Sequence, residues 1–109
     1  MTTARFFKTG SRIGGVELSD HAGYAEEGQD IVCAAVSASV DLTSCLLGDI
    51  LGIPYSAEVD PEQAVIRLML PESLSEQDEM QAQNALRALQ VYFENLKGRY
   101  PKNIDVMEV

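Results

Sequence analysis

The stretch "DIVCAAVSASVDLTSCLLGDILG", residues 30–52, decides how the chain is divided. It opens on Asp30, a residue type that caps helices, continues almost without charge, and ends at Gly52 with Pro54 beyond, where helices stop. The pattern predicts one long helix. A run this apolar further predicts burial over most of its circumference.

Working outward, the segments on both sides alternate instead of repeating at helical spacing. Upstream, "TARFFKTG" and "RIGGVELS" read as a hairpin around a Thr-Gly-Ser turn, with Gly14 and Gly15 marking a bulge in the second strand. Downstream, "PYSAEVD" and "QAVIRLMLP" read as a second hairpin around Asp60, Pro61 and Glu62. "SEQDEMQAQNALRALQVYFENLKG" then opens with Ser75 and Asp78 in capping-box-like spacing and closes with Lys97 and Gly98. Its Ala82, Ala85, Leu86, Leu89, Phe93 and Leu96 recur every three or four residues, which gives one packed face. A final "NIDVMEV" alternates and is expected to add an edge strand. The expected fold is therefore α+β: a two-layer domain, ββαββα with a short C-terminal strand, carrying a mainly antiparallel sheet of four to five strands and two helices.

At 109 residues the chain is expected to form a single domain over 1–109. No apolar run is read as reaching the roughly 18 residues of a spanning helix, so no membrane is expected. The N-terminal "MTTARFFKTGSR" lacks the apolar stretch of a secretory signal, and the expected compartment is the cytoplasm. The net charge of −9, without a cluster of Lys or Arg, argues against direct nucleic-acid binding and allows a basic partner. Cys33 and Cys45 would lie about 18 Å apart along one helix, too far for a disulfide. One His and two scattered Cys do not supply the ligand pairs of a structural zinc site, and no metal is expected.

The single histidine, His21, precedes Cys33 by twelve residues. With a helix start at Asp30, Cys33 falls in the first turn, where free N–H groups and the helix dipole favour a thiolate. The glycine-containing loop between them is long enough to bring His21 back as a base, and Ser37 lies one turn further along the same face as Cys33. Spacing alone leaves the alternatives open, because a lone Cys in an apolar helix also serves as a small core residue. Cys45, deep in the apolar run, is read as core.

The surrounding residues narrow the choice. "HAGYAEEGQDIVCAAVSA" closely resembles the signature of the ribosomal-processing cysteine proteases, the Prp family, with His21, Ala22, Gly28, Asp30, Ile31, Val32, Cys33, Ala34 and Ser37 all matching. The resemblance implies a small cytoplasmic homodimer that removes a short N-terminal extension from a large-subunit ribosomal protein, cutting after an aromatic pair, without a cofactor. It also implies Cys33 as nucleophile, His21 as general acid/base, and Asp30 and Ser37 as supporting residues. Such a substrate is basic, in keeping with the acidic chain. The family usually has Gly where this chain has Asp20. That carboxylate either alters the backbone of the loop, favours an imidazolium at His21, or is simply solvated at a strand end. Two other readings use the same residues: a non-catalytic acidic adaptor for a basic ribosomal or assembly partner, and a redox-sensing thiol protein.

Overall fold

A computed structural model of the chain describes residues 1–20 and 29–109. The elements are β1 (Thr2–Thr9), β2 (Arg12–Asp20), α1 (Gln29–Ser44) with a π-helical continuation (Cys45–Ile50), β3 (Ser56–Asp60), β4 (Val65–Met69), α2 (Glu76–Arg99) and β5 (Ile104–Glu108). The strands form one sheet in the order β3-β4-β2-β1-β5. Three of its pairings are antiparallel; the fourth, β1 with β5, is parallel. The fold is the expected α+β arrangement of two helices on a mostly antiparallel sheet.

Strand alternation separates the two faces of the sheet. Ala4, Phe6, Val16, Leu18, Leu68 and Ile104 point into a core completed by Val32, Val36 and Val40 of α1 and by Ala82, Leu86, Leu89, Phe93 and Leu96 of α2. On the other face the register places Arg5 opposite Glu17, Glu17 opposite Arg67, and Arg67 opposite Glu58. This row of alternating charge crosses four strands, with Arg5 Nη1 3.8 Å from Glu17 Oε1 and Arg67 Nη1 3.7 Å from Glu58 Oε2. Opposite charges on adjacent strands favour this register over a slip, which would separate the paired charges.

The glycines of β2 have separate tasks. Phe7 faces Gly15 and Lys8 faces Ile13, so Gly14 is the extra residue of a bulge, as the Gly-Gly pair suggested. Its carbonyl accepts the N–H of Leu70 at 2.8 Å. Ile13 is tied to α2 by one side chain: Gln83 Oε1 accepts from Ile13 N at 2.7 Å and Gln83 Nε2 donates to Ile13 O at 2.8 Å. Arg12 adds a two-pronged contact to the Glu79 carboxylate, so the bulged end of the hairpin is fastened to the helix layer.

α2 follows the sequence expectation closely. Ser75 caps it by accepting from Asp78 N at 3.1 Å, and the six residues read as its packed face are its buried residues. Near its end Lys97 donates to Asp105 Oδ1 at 2.7 Å, which joins the helix to β5. That bond and the Val106 N–H hold the Asp105 carboxyl below its ordinary range.

α1 departs from expectation in three ways. First, Asp30 is its second described residue and is exposed, so it is inside the helix and is not its N-cap. Second, only one stripe of the helix is buried, while Ile31, Leu42, Leu46 and Ile50 are exposed on the outside. A helix lying on one side of a two-layer domain has only one layer to pack against, whatever its composition. Third, Cys45 is exposed and not core, because it stands five residues beyond Val40 and so off the stripe of Val36, Val40, Thr43 and Leu47; it also begins the π-helical stretch. Leu51 N closes that stretch onto Leu46 O at 3.0 Å, the five-residue step of a π turn.

The continuous helix Gln29–Ile50 has 22 residues and is long and apolar enough to cross a membrane, which corrects the reading that no run reaches that length. Its buried stripe of Val32, Val36, Val40 and Leu47 is nevertheless part of the domain's own core.

Gly15 provides the sharpest test of this packing. A Cβ built there would run into the Leu68 carbonyl and the Met69 side chain of β4. Gly15→Ala is expected to destabilise the domain by about 1–3 kcal/mol through this overpacking, read as a lower midpoint in a urea melt, whereas Gly98→Ala, which meets nothing within 4 Å, is expected to leave the midpoint unchanged or raise it.

Candidate active site

Cys33 is the fifth residue of α1 and half-buried. One turn beyond it, Ser37 is exposed on the same helix. The thiol lies against the ends of two strands, and the start of a third is linked to it through side chains. β2 contributes its last residue, Asp20, whose Oδ2 accepts the Cys33 S–H at 3.4 Å. β1 contributes its first residue, Thr2, with Oγ1 3.9 Å from the sulfur. These two residues face each other across the β1–β2 pair, so the strand register itself sets the carboxylate beside the hydroxyl.

The third contribution comes through a side-chain relay. Gln29 Nε2 donates to Thr2 Oγ1 at 3.0 Å and lies 3.4 Å from Cys33 Sγ. Gln29 Oε1 in turn accepts from Asn103 Nδ2 at 3.3 Å, and Asn103 leads into β5. Asn103 and Thr2 are both buried, and the Thr2 N–H donates to the Asn103 carbonyl at 2.9 Å. Buried polar side chains of this kind hold one another in place because each supplies the bond that water would otherwise make.

Beside the sulfur opens a cavity of about 260 Å³ between α1 and the β3–β4 hairpin. Leu18, Val36, Val59, Pro61, Val65 and Ile66 make most of its wall, with Cys33, Ser37 and Asp20 also lining it. An apolar recess with a few convergent polar groups is the usual form of a ligand site. A larger groove, about 870 Å³, runs along Lys8, Arg12, Glu79 and Arg87. It contains no thiol, and Arg12 and Glu79 within it already satisfy each other.

Of the residues singled out from sequence, Cys33, Asp20 and Ser37 come together at this cavity. Asp30 does not join them. His21 lies outside the described residues, and with it the reading that its imidazole folds back over the helix start. As the fifth helical residue, Cys33 stands at the start of the second turn and not in the first, and its own N–H is directed to the Gln29 carbonyl in the regular ladder. Thr2, Gln29 and Asn103 were not anticipated. Gln29 stands inside the matching stretch; Thr2 and Asn103 carry no local signal, being brought in by strand pairing.

The cavity is closed on one side by the β3–β4 turn, where Ala64 has φ of +52°. Its carbonyl accepts the Asp20 N–H at 3.1 Å, which links the turn to the residue beside the thiol. A left-handed conformation costs a non-glycine residue about 1–2 kcal/mol. Ala64→Gly is therefore expected to raise the thermal midpoint by a few degrees, because the relief of that cost exceeds the roughly 0.4–1 kcal/mol by which glycine favours the unfolded chain; a calorimetric scan of the two proteins checks it.

An α+β layer here sets a thiol from a helix beside strand-end polar groups and an apolar recess, a setting in which a cysteine nucleophile can act, and comparison with known proteins gives the class as thiol hydrolase. The family model described as cysteine protease Prp matches residues 1–105. The ribosomal processing cysteine protease Prp of Bacillus subtilis (strain 168) is 29% identical over 90 residues, which is 83% of this chain and 80% of that protein. Among solved structures, the essential ribosomal processing protease Prp from S. aureus in complex with a substrate peptide aligns with a TM-score of 0.86 at 19% identity, covering 100% of both chains. The S. aureus protease with a covalently linked product peptide aligns with a TM-score of 0.82 at 22% identity, again over 100% of both chains. These structures share the fold. The chain belongs to the cysteine protease Prp family.

Proposed function

We propose that this protein is a cytoplasmic cysteine endopeptidase that removes a short N-terminal extension from a large-subunit ribosomal protein, cutting after an aromatic pair, with Cys33 as nucleophile and His21 as general acid/base. The observation that carries the reading is the half-buried Cys33 thiol at the edge of an apolar cavity large enough for a bulky side chain. Ser37, on the cavity wall, is a supporting polar group. Asp20 accepts the thiol proton's hydrogen bond in the resting protein, so a base must take that proton before attack. His21 is the one histidine of the chain and is assigned that step. The net charge of −9 suits a basic protein substrate and disfavours direct nucleic-acid contact.

The test is cleavage of the extended ribosomal protein, followed by mass spectrometry of the released peptide. Cys33→Ala and His21→Ala are each expected to lower the rate about 10⁶-fold, as loss of the nucleophile or of its base does. Cleavage at the parent rate by Cys33→Ala would remove the thiol from the mechanism.

The same reading includes a homodimer, and the outer face of α1 supports it. Leu42 is 72% exposed and Ile50 74%, with Ile31 at 58%, on a helix whose buried stripe already packs on the core. A row of exposed aliphatic side chains on one helix is characteristic of a surface that a second protein covers. Leu42→Glu combined with Ile50→Glu is expected to convert the sedimenting species from dimer to monomer with the circular-dichroism spectrum retained; a monomeric parent protein would remove this part of the proposal.

A further inference from the structure

An acyl transfer at Cys33 creates an oxyanion that needs preorganised donors, and removing one such donor in other proteases lowers the rate about 10²–10³-fold. The Cys33 N–H is engaged in the helix ladder and is not free for this task. Among the described residues the side-chain N–H donor nearest the sulfur is the Gln29 carboxamide, at 3.4 Å. Its orientation is fixed from both ends. Oε1 is occupied by Asn103 Nδ2 at 3.3 Å, which turns the N–H pair toward Thr2 Oγ1 at 3.0 Å and toward the sulfur. Asn103 is itself only 4% exposed and is bonded through its carbonyl to the start of β1, so the relay rests on the sheet and not on solvent.

Resting on the assignment of Cys33 as nucleophile, we infer that the Gln29 carboxamide is an oxyanion donor of this protease, oriented by Asn103 and Thr2. In the first step Cys33 Sγ bonds to the scissile carbonyl carbon, the thiol proton passes to His21, and the carbonyl π pair moves onto oxygen. That oxygen is two bonds from the sulfur. A donor already touching the sulfur therefore reaches it with a small swing of the amide, exchanging a weak N–H···S contact for a charge-assisted bond that strengthens as charge develops. Collapse returns the pair to the carbonyl, breaks the C–N bond, and delivers the proton from His21 to the leaving amine. Water then adds to the thioester through a second oxyanion at the same donor, and the thiol is released with its proton restored.

The experiment separates a donor to the oxyanion from a group that merely holds the sulfur. Cleavage of the extended ribosomal protein, binding of a peptide aldehyde ending in Phe-Phe, and alkylation of Cys33 by iodoacetamide are measured on the full chain and on Gln29→Ala and Gln29→Glu. Glu keeps the shape but lacks the amide donors, and it covers the case in which Gln29→Ala loses its fold. Both variants are expected to lower kcat about 10²–10³-fold with KM little changed. Affinity for the aldehyde, which forms a tetrahedral adduct, is expected to fall with kcat. Alkylation is displacement at a saturated carbon with no oxyanion, so in Gln29→Ala its rate is expected to stay near the parent value. Asn103→Ala, which frees the amide while leaving it in place, is expected to lower kcat and aldehyde affinity together without slowing alkylation. Unchanged kcat in both Gln29 variants, or alkylation in Gln29→Ala falling in step with kcat, overturns the inference. If Cys33→Ala still cleaves, the nucleophile assignment fails instead, which is a different result on the same substrate.

Discussion

The parallel pairing of β5 with β1 is the constraint on which the site depends. β1 sits inside the sheet, antiparallel to β2 on one side and parallel to β5 on the other. A parallel neighbour cannot be reached by a tight turn; the chain must cross over, and here it does so by way of β2, α1, the second hairpin and α2. The reward for that long return is that the start of β5 meets the start of β1. Asn103 thereby arrives beside Thr2, and both lie under the beginning of α1 where Cys33 is carried.

Around that junction the polar groups are few and fully used. Thr2 presents its hydroxyl to Gln29, Gln29 spans from Asn103 to the sulfur, and Asp20 takes the thiol from the other side. Among the described residues no buried side-chain N or O atom lacks a hydrogen-bond partner. Such a network favours one arrangement strongly, because any member that turned away would strand another out of reach of water. The neighbouring recess is apolar by contrast, so the site joins an oriented polar edge to a surface that gains from burying hydrocarbon.

The two helices show how differently similar layers can be used. α2 is amphipathic, with charged and amide side chains outside and a continuous inner stripe. α1 is apolar on both sides, yet the domain covers only one. An exposed Leu or Ile alone means little. Several along one helix, opposite a stripe that is already packed, mark a face that the isolated domain does not complete.

Much of the fold was legible in the residues themselves. The two hairpins, the bulge at the Gly-Gly pair, the capped α2 and its buried positions all follow from local periods and turn chemistry, which act over a few residues and leave their mark in the sequence. Of the site, the matching stretch around His21 and Cys33 singled out the thiol and the histidine by resemblance to a family, and the geometry of His21 lies outside the described residues. What only the tertiary structure decided is everything set by contacts between distant segments: the depth of α1's burial, the exposure of Cys45, the approach of Thr2 to the sulfur and that of Asn103 to Gln29. The reason is physical. Composition says how apolar a helix is, but the number of layers says how much of it is covered, and strand register says which polar side chains meet.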